Sequence, residues 1–286
     1  MANVENYIRP GSLEEAWKVL CQAGATARVI GGGVDLALFV PKGITTLVDV
    51  SALSSDCVEE SGGGLEIGAG VTLTELAECP CAANYLDGIL VEVLRKVASP
   101  LLRNLATVGG TLASAHPWSD VIPVFIALGA EVELYEGEIR TVLLEELVAD
   151  RAGAAGALIR AVRLPPAAGD AGAAFEKFTR TGFDVGMLNC ACYVAFDQGV
   201  CAAVRIALGG TPDMAARVKA VEELVVGTTL DETVIDAAAE RVAETVPARD
   251  DQRASGEYRR VLAAAGVRRC LKRIAQGMGL QTGGGE

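Results

Sequence analysis

The chain has 286 residues, about twice the size of a common domain, so two domains or one large α/β unit are expected. Hydrophobic residues make up 51% and charged residues 22%, which is typical of a packed globular chain and excludes disorder as its main state. The 25 basic and 37 acidic side chains give a net charge of −12, which argues against binding to nucleic acid or to anionic lipid.

The first part of the chain predicts short helices and strands. Residues 1–10 have no apolar core, so they do not form the pattern of a signal peptide. Capping boxes predict one helix that begins at Ser12 and ends at Gly24, and a second that begins at Thr72. Helical periodicity predicts a third helix over 86–98, which Ser99-Pro100 ends. Strands are predicted from short apolar or alternating runs, at 27–30, 46–50, 131–135 and 157–164.

The longest apolar run, over 121–130, is interrupted by a proline and a glycine. It is far shorter than the roughly 20 residues that span a bilayer, so no membrane insertion is expected and the predicted location is the cytoplasm.

The C-terminal part follows a small-residue linker at 165–172. Two alternating runs at 190–196 and 200–208, joined by a turn, predict an antiparallel hairpin. Helices are predicted at 213–226, 233–245 and 255–276, and the tail at 279–286 has no means of packing.

The eight cysteines do not predict a disulfide scaffold or a metal site. The pairs Cys79/Cys81 and Cys190/Cys192 have one intervening residue, whereas tetrahedral sites commonly have two to four and need four ligands. The sequence has a single histidine to add. Reduced thiols buried as small apolar groups are the preferred interpretation, with a metal site as the minor alternative.

Two glycine-rich turns are the candidate binding elements. Gly31-Gly32-Gly33 follows a predicted strand, and Gly109-Gly110 lies in the second turn. Consecutive glycines leave room for main-chain N–H groups to converge on an anion, so two such turns could hold a diphosphate together. Each turn alone is more simply a tight turn, and neither matches a Walker P-loop or the Gly-x-Gly-x-x-Gly fingerprint.

The joint pattern is more specific than either turn. Residues 99–114 resemble the second flavin loop of the molybdenum hydroxylase flavoproteins, the FAD-binding subunits of the xanthine dehydrogenase and carbon monoxide dehydrogenase family, and the match continues through Pro117, Asp120 and Pro123. Residues 31–36 resemble the first flavin loop, and 255–260 are similar to the motif that opens the last helix. The resemblance covers nearly the whole chain.

This resemblance implies an α+β fold. A two-lobed, PCMH-like FAD-binding domain would occupy residues 1–168, with lobes at about 1–53 and 54–168. A smaller domain with an antiparallel sheet and helices would follow at 169–286. FAD would lie between the lobes with its pyrophosphate on the two glycine loops.

The resemblance also implies which residues bind the cofactor, position by position. They are Ile30, Gly31, Gly32, Gly33, Val34, Asp35, Leu36, Arg103, Asn104, Thr107, Gly109, Gly110, Thr111, Ser114, His116, Asp120, Lys177 and Val185. No residue is implied as catalytic, and none as a metal ligand.

The resemblance implies a specific role at four of these positions, and three of the four have a simpler alternative role. Lys177 would lie near the flavin ring, where a cation stabilises the charge of the reduced ring; alternatively it is an ordinary solvated lysine. Val185 would pack on the ring face. Asp120 would accept a hydrogen bond from the flavin, or serve as a carboxylate at a helix N-terminus. His116 would lie near the phosphates or fill its loop, so FAD is expected to be non-covalent.

The sequence departs from the family pattern at several positions. Val34 stands where a polar residue or histidine is usual, Thr111 replaces a common asparagine, and residues 116–119 are bulkier than usual. The cysteine-rich insertion that carries an iron–sulfur cluster in one branch is missing, so FAD is expected to be the sole redox centre, with no metal in this chain.

The implied function is electron transfer within a complex. A large subunit would carry the molybdopterin cofactor and a small subunit two [2Fe–2S] clusters, from which this chain would pass electrons through FAD to NAD⁺ or another acceptor. The alternatives are a stand-alone FAD oxidase or dehydrogenase, and a non-redox module that binds another phosphate ligand.

Overall fold

The computed structural model describes residues 4–38, 40–53, 57–150, 156–211 and 213–280. Its first unit is a parallel three-stranded sheet of order β1-β3-β2. In chain order its elements are β1 (Asn6–Ile8), α1 (Leu13–Ala23), β2 (Ala27–Ile30), α2 (Val34–Leu38) and β3 (Thr46–Asp49). The Ser12 hydroxyl accepts from the Glu15 amide at 3.1 Å and Gly24 ends the helix, so both predicted ends of α1 are confirmed.

The second unit is a five-stranded antiparallel sheet of order β4-β5-β8-β6-β7 with helices packed on it. Its elements are β4 (Val58–Ser61), β5 (Gly64–Gly68), α3 (Leu73–Glu78), α4 (Pro80–Asn84), α5 (Ile89–Lys96), α6 (Pro100–Arg103), α7 (Val108–Ser114), α8 (Val121–Ala127), β6 (Glu131–Tyr135), β7 (Ile139–Leu143), α9 (Leu144–Ala149) and β8 (Leu158–Leu164). All seven residues of α8, which contains most of the longest apolar run, are buried.

The third unit is an antiparallel sheet of order β12-β11-β10-β9 with three helices. Its elements are β9 (Ala171–Phe178), β10 (Leu188–Asp197), β11 (Val200–Gly209), β12 (Ala216–Arg217), α10 (Lys219–Val225), α11 (Glu232–Thr245) and α12 (Gly256–Gly277). The predicted hairpin is confirmed as β10 and β11. In the part of the chain that the structure describes, no helix could cross a membrane.

Strand β10 is buried on both faces. Ala191, Tyr193 and Ala195 belong to the core that contains α8 and the five-stranded sheet. Cys190 and Cys192 alternate with them and belong to the core under α12. Because successive side chains of a strand point to opposite faces, one strand contributes to two cores.

Several sequence expectations differ from the structure. The helix expected over 213–226 begins only at Lys219, because Ala216 and Arg217 pair with β11 as β12. The helix expected over 86–98 is limited to α5, since Leu86 and Asp87 have positive φ values of 45° and 53°. The last two residues of the expected linker belong to β9, and the tail beyond residue 280 lies outside the described residues. The short strands β1, β4, β5 and β7, and strand β9 beside the linker, were not predicted.

Candidate functional site

A cavity of about 1120 Å³ lies where the three units meet. This volume lies slightly above the range of about 300–1,000 Å³ that is usual for small-molecule sites. Of the residues named from the sequence, the following line it: Ile30, Gly31, Gly32, Gly33, Val34, Asp35, Leu36, Asn104, Thr107, Gly109, Gly110, Thr111, Ser114, His116, Asp120, Lys177 and Val185. Arg103 does not. Its guanidinium donates to the carbonyl oxygens of residues 97 and 98 and so holds the chain that enters the second loop.

The two glycine loops touch each other. The first, Gly31-Gly32-Gly33, connects β2 to α2. A Cβ at Gly32 would lie 1.6 Å from the Leu105 carbonyl oxygen, and a Cβ at Gly31 would lie 3.2 Å from the Thr107 hydroxyl oxygen. The first loop therefore needs glycine at position 32 because the second loop passes directly against it.

The first loop contributes free amides to the site. Among the described residues, no partner is found for the main-chain N–H groups of Gly31, Gly32 and Gly33. Three adjacent unpaired N–H groups at a cavity wall form the kind of backbone concavity that binds an anion.

The second loop differs from expectation, because its amides are already used inside the fold. Four consecutive N–H groups donate to neighbouring oxygens: Val108 to the Val71 carbonyl, Gly109 to the Ala69 carbonyl, Gly110 to the Thr107 hydroxyl and Thr111 to the Thr107 carbonyl. Thr107 is thus the N-cap of α7. The second loop braces the first and supplies cavity wall, and these four amides are not free to bind an anion.

Asp35 joins the two loops through its carboxylate. Oδ2 accepts from the Ser114 hydroxyl and lies 3.2 Å from His116 Nε2. The His116 ring stacks on the Trp118 ring, with centroids 4.7 Å apart. The Arg253 guanidinium lies over the Trp118 ring, 4.7 Å from its centroid. The carboxylate lies between the serine and the histidine, so His116 is not positioned to take a proton from Ser114.

A buried ion pair forms the cavity wall nearest the C-terminal unit. Lys177 Nζ lies 2.6 Å from Asp120 Oδ2, and both side chains are about 7% exposed or less. Lys177 also donates to the Lys96 carbonyl at 2.9 Å, and Asn189 Nδ2 donates to Asp120 Oδ1 at 2.9 Å. Burial raises the pKa of Asp120 although the Lys177 ammonium opposes this.

This pair excludes one of the alternatives, the one for Lys177. A solvated lysine is wrong for Lys177, because its side chain is 6% exposed. Asp120 occupies the N-cap position of α8, yet its side chain caps no amide of that helix. Each charge instead neutralises the other at the cavity wall.

Several lining residues were not named from the sequence. Phe183 lines the cavity beside Val185 and is 71% exposed, and Leu102, Leu105 and Trp118 contribute further apolar surface. Their proximity in sequence to Val185, the second loop and His116 was the available signal. Asn104 accepts from a neighbouring threonine hydroxyl at 2.6 Å.

Comparisons with known proteins agree with this arrangement. Residues 2–167 match the family described as "FAD binding domain in molybdopterin dehydrogenase", and residues 173–274 match "CO dehydrogenase flavoprotein C-terminal domain". The chain is 30% identical to the 6-hydroxypseudooxynicotine dehydrogenase complex subunit alpha of Paenarthrobacter nicotinovorans, over 93% of each chain. It is also 30% identical to the carbon monoxide dehydrogenase medium chain of Afipia carboxidovorans, over 94% of this chain and 96% of that one.

A solved structure shares the whole fold. Quinoline 2-oxidoreductase from Pseudomonas putida 86 superimposes with a TM-score of 0.85 at 29% identity, over 97% of this chain and 99% of that chain. The α+β fold class and the resemblance stated from the flavin loops are thereby confirmed. The chain belongs to the family of FAD-binding flavoprotein subunits of the molybdenum hydroxylases.

Proposed function

We propose that this chain is the electron-transfer subunit of a molybdenum hydroxylase complex and holds FAD non-covalently in the described cavity. Its partners would be a large subunit with the molybdopterin cofactor and a small subunit with [2Fe–2S] clusters, and its acceptor NAD⁺ or another carrier. The names of two relatives, a "complex subunit alpha" and a "medium chain", support a role within an assembly. Residues 1–168 would form the FAD domain and 169–286 the C-terminal flavoprotein domain.

The observation that carries this proposal is the backbone cradle of the first loop. Its three glycines line a cavity large enough for a dinucleotide, their main-chain N–H groups have no partner among the described residues, and a Cβ at Gly32 would collide with the second loop. Backbone amides suit a diphosphate because they add positive potential without a basic side chain. The residues present therefore fit FAD.

Other residues would orient the cofactor and exclude water. Asp35 is fixed by Ser114 and His116, so the first turn of α2 is held against the second loop. Phe183 and Val185 present apolar surface at the cavity edge, where a flavin ring would be covered. His116 is held by stacking and by its carboxylate partner, which supports non-covalent binding.

FAD, when bound, can exchange electrons singly or in pairs, which lets one centre connect iron–sulfur clusters to a two-electron acceptor. The Lys177–Asp120 pair supplies a fixed, nearly neutral dipole at the wall where the ring is expected. Asp120 therefore offsets the positive charge of Lys177, and the effect of this lysine on a reduced flavin would be smaller than that of an unpaired cation.

The direct test is to identify the bound ligand. The full chain is purified, the ligand is released by heat, and chromatography is expected to show FAD in near-stoichiometric amount. The Gly32→Ala variant is expected to lose FAD, because the added Cβ displaces the first loop from Leu105. Gly169→Ala is the matched control, since no atom lies within 4 Å of its added Cβ.

Three results would contradict parts of the proposal. Release of another phosphate compound would support the non-redox alternative. Full FAD occupancy in Gly32→Ala would remove the first loop from the binding site. Reduction of the flavin by an organic substrate with the isolated chain alone would support the stand-alone oxidase.

A further inference from the structure

Three cysteines meet in the core between β10 and α12, away from the cavity. Cys190 and Cys192 alternate on one face of β10, and Cys270 comes from α12, which packs on that face. All three are at most 1% exposed. Their sulfur atoms lie within 4.8 Å of one another, and the Sγ atoms of Cys190 and Cys192 are 4.0 Å apart.

Close packing of the helix on the strand produces this cluster. Gly266 lies one turn before Cys270, and a Cβ there would be 2.9 Å from the Cys190 Cβ. The missing side chain lets α12 approach β10, so the Cys270 sulfur lies 3.7 Å from the Cys190 carbonyl oxygen. The sequence pairs alone could not show this third thiol, because it is 80 residues away from Cys190.

The spacing of the sulfurs fits a three-coordinate metal. A metal–thiolate distance of about 2.3 Å places three ligands at the corners of a triangle with edges of about 4.0 Å. The Cys190–Cys192 separation equals this edge. In the part of the chain that the structure describes, no fourth histidine, carboxylate or thiol joins the three, so the set lacks the fourth ligand of a tetrahedral zinc site.

The helix turn that carries Cys270 also carries a basic side chain. Arg273 lies on α12 next to Cys270 in the helix turn, and its Nη1 pairs with Glu92 at 3.0 Å. Its buried Nη2 has no hydrogen-bond partner among the described residues.

We propose that Cys190, Cys192 and Cys270 form a binding site for one soft monovalent d¹⁰ cation, Cu(I), for which Ag(I) is a redox-inert mimic. Soft thiolates select such ions, and three sulfurs without an oxygen or nitrogen ligand suit trigonal coordination. Each thiol that becomes a ligand releases its proton to solvent, and no atom changes oxidation state. The expectation of a metal-free chain rested on the spacing of the two sequence pairs and on the missing cysteine-rich insertion, without the third thiol.

The test uses the full chain, reduced and kept free of oxygen. Other cysteines are first replaced by alanine so that they do not compete: Cys21, Cys57, Cys79 and Cys81. Cu(I) is then titrated against a chromophoric Cu(I) chelator. We expect one tightly bound ion per chain and, by X-ray absorption, three sulfur neighbours at about 2.3 Å.

Variants separate the proposed site from non-specific thiol binding. Cys270→Ala is expected to abolish the tight binding, and Cys270→Ser serves the same purpose if the smaller residue impairs folding. Cys201→Ala is the matched control, because Cys201 is equally buried in β11 but lies outside the cluster. Circular dichroism and urea unfolding check that each variant is folded.

Any of four outcomes would overturn the proposal. The first three are the absence of tight Cu(I) binding in the parent chain, retention of that binding in folded Cys270→Ala or Cys270→Ser, and a first shell with only two sulfurs. Loss of binding in Cys201→Ala as well would show that the effect comes from the core and not from the three ligands, and would also refute it.

Discussion

Replacing Lys177 with methionine is expected to destabilise the FAD-free chain by about 3–5 kcal/mol at pH 7. The Lys177 ammonium lies 2.6 Å from Asp120, and both groups are almost fully removed from water. Methionine fills a similar volume but leaves Asp120 with a single side-chain donor, the Asn189 amide at 2.9 Å. The cost is therefore that of a buried carboxylate without its counter-ion.

The loss should depend on pH in a defined direction. Burial already raises the pKa of Asp120 above its ordinary value of 3.8, and removal of the ammonium raises it further. The folded state then favours the protonated acid, so the loss is small near pH 4, grows as the pH rises above the ordinary pKa, and levels off above the raised pKa. Adding Asp120→Asn should recover most of the stability, because no buried charge remains.

Urea unfolding of the FAD-free chain at several pH values measures this effect. Lys18→Met is the matched control, because Lys18 pairs with Glu14 on an exposed helix face and its removal should change little. An equal loss in both lysine variants would refute the reasoning. So would a Lys177→Met loss that stays constant between pH 4 and pH 7.

Two further predictions concern the fold around the cavity. Gly109→Ala should destabilise the FAD-free chain by about 1–3 kcal/mol, because its Cβ would lie 2.7 Å from the Ala69 Cβ; unchanged urea unfolding would contradict this. Asp49 accepts hydrogen bonds from Tyr7 and Arg9, each at 2.8 Å. Burial acts to raise the pKa of Asp49, but the hydrogen bonds to its carboxylate, including these two, outweigh burial and lower that pKa. Asp49→Asn should therefore cost stability at pH 7 but progressively less below pH 3.8, and a pH-independent difference in unfolding would refute that role.

Local signals were sufficient for much of the fold. The hydroxyl caps at Ser12, Thr72 and Ser255 start helices where the sequence predicted them, since a cap acts on an amide three residues away. The alternating sequence pattern also predicted the hairpin of β10 and β11. The short strand β12 was not predicted, because it forms only by pairing with β11 and residues 213–226 have a helical pattern of their own.

The candidate site was likewise predictable from the sequence only in part. The family resemblance assigned Asp120 and Lys177 separately to the flavin site, but it did not predict their direct pairing, because 57 residues separate them. The glycines of the second loop suggested free amides, whereas Gly109 donates to Ala69 and its glycine is needed for that close approach. Composition alone does not distinguish a glycine that faces a ligand from one that faces another strand of the same protein.

The double burial of β10 has a consequence for how the chain can be divided. Tyr193 stacks under the Arg205 guanidinium at 4.4 Å, and Arg205 donates to the Ala127 carbonyl at the end of α8. Cutting the chain at the linker would expose an apolar face of α8 to solvent and would remove the residues that cover one face of β10. We expect either half, expressed separately, to aggregate or remain molten, so residues 2–167 and 173–274 should unfold as a single cooperative unit.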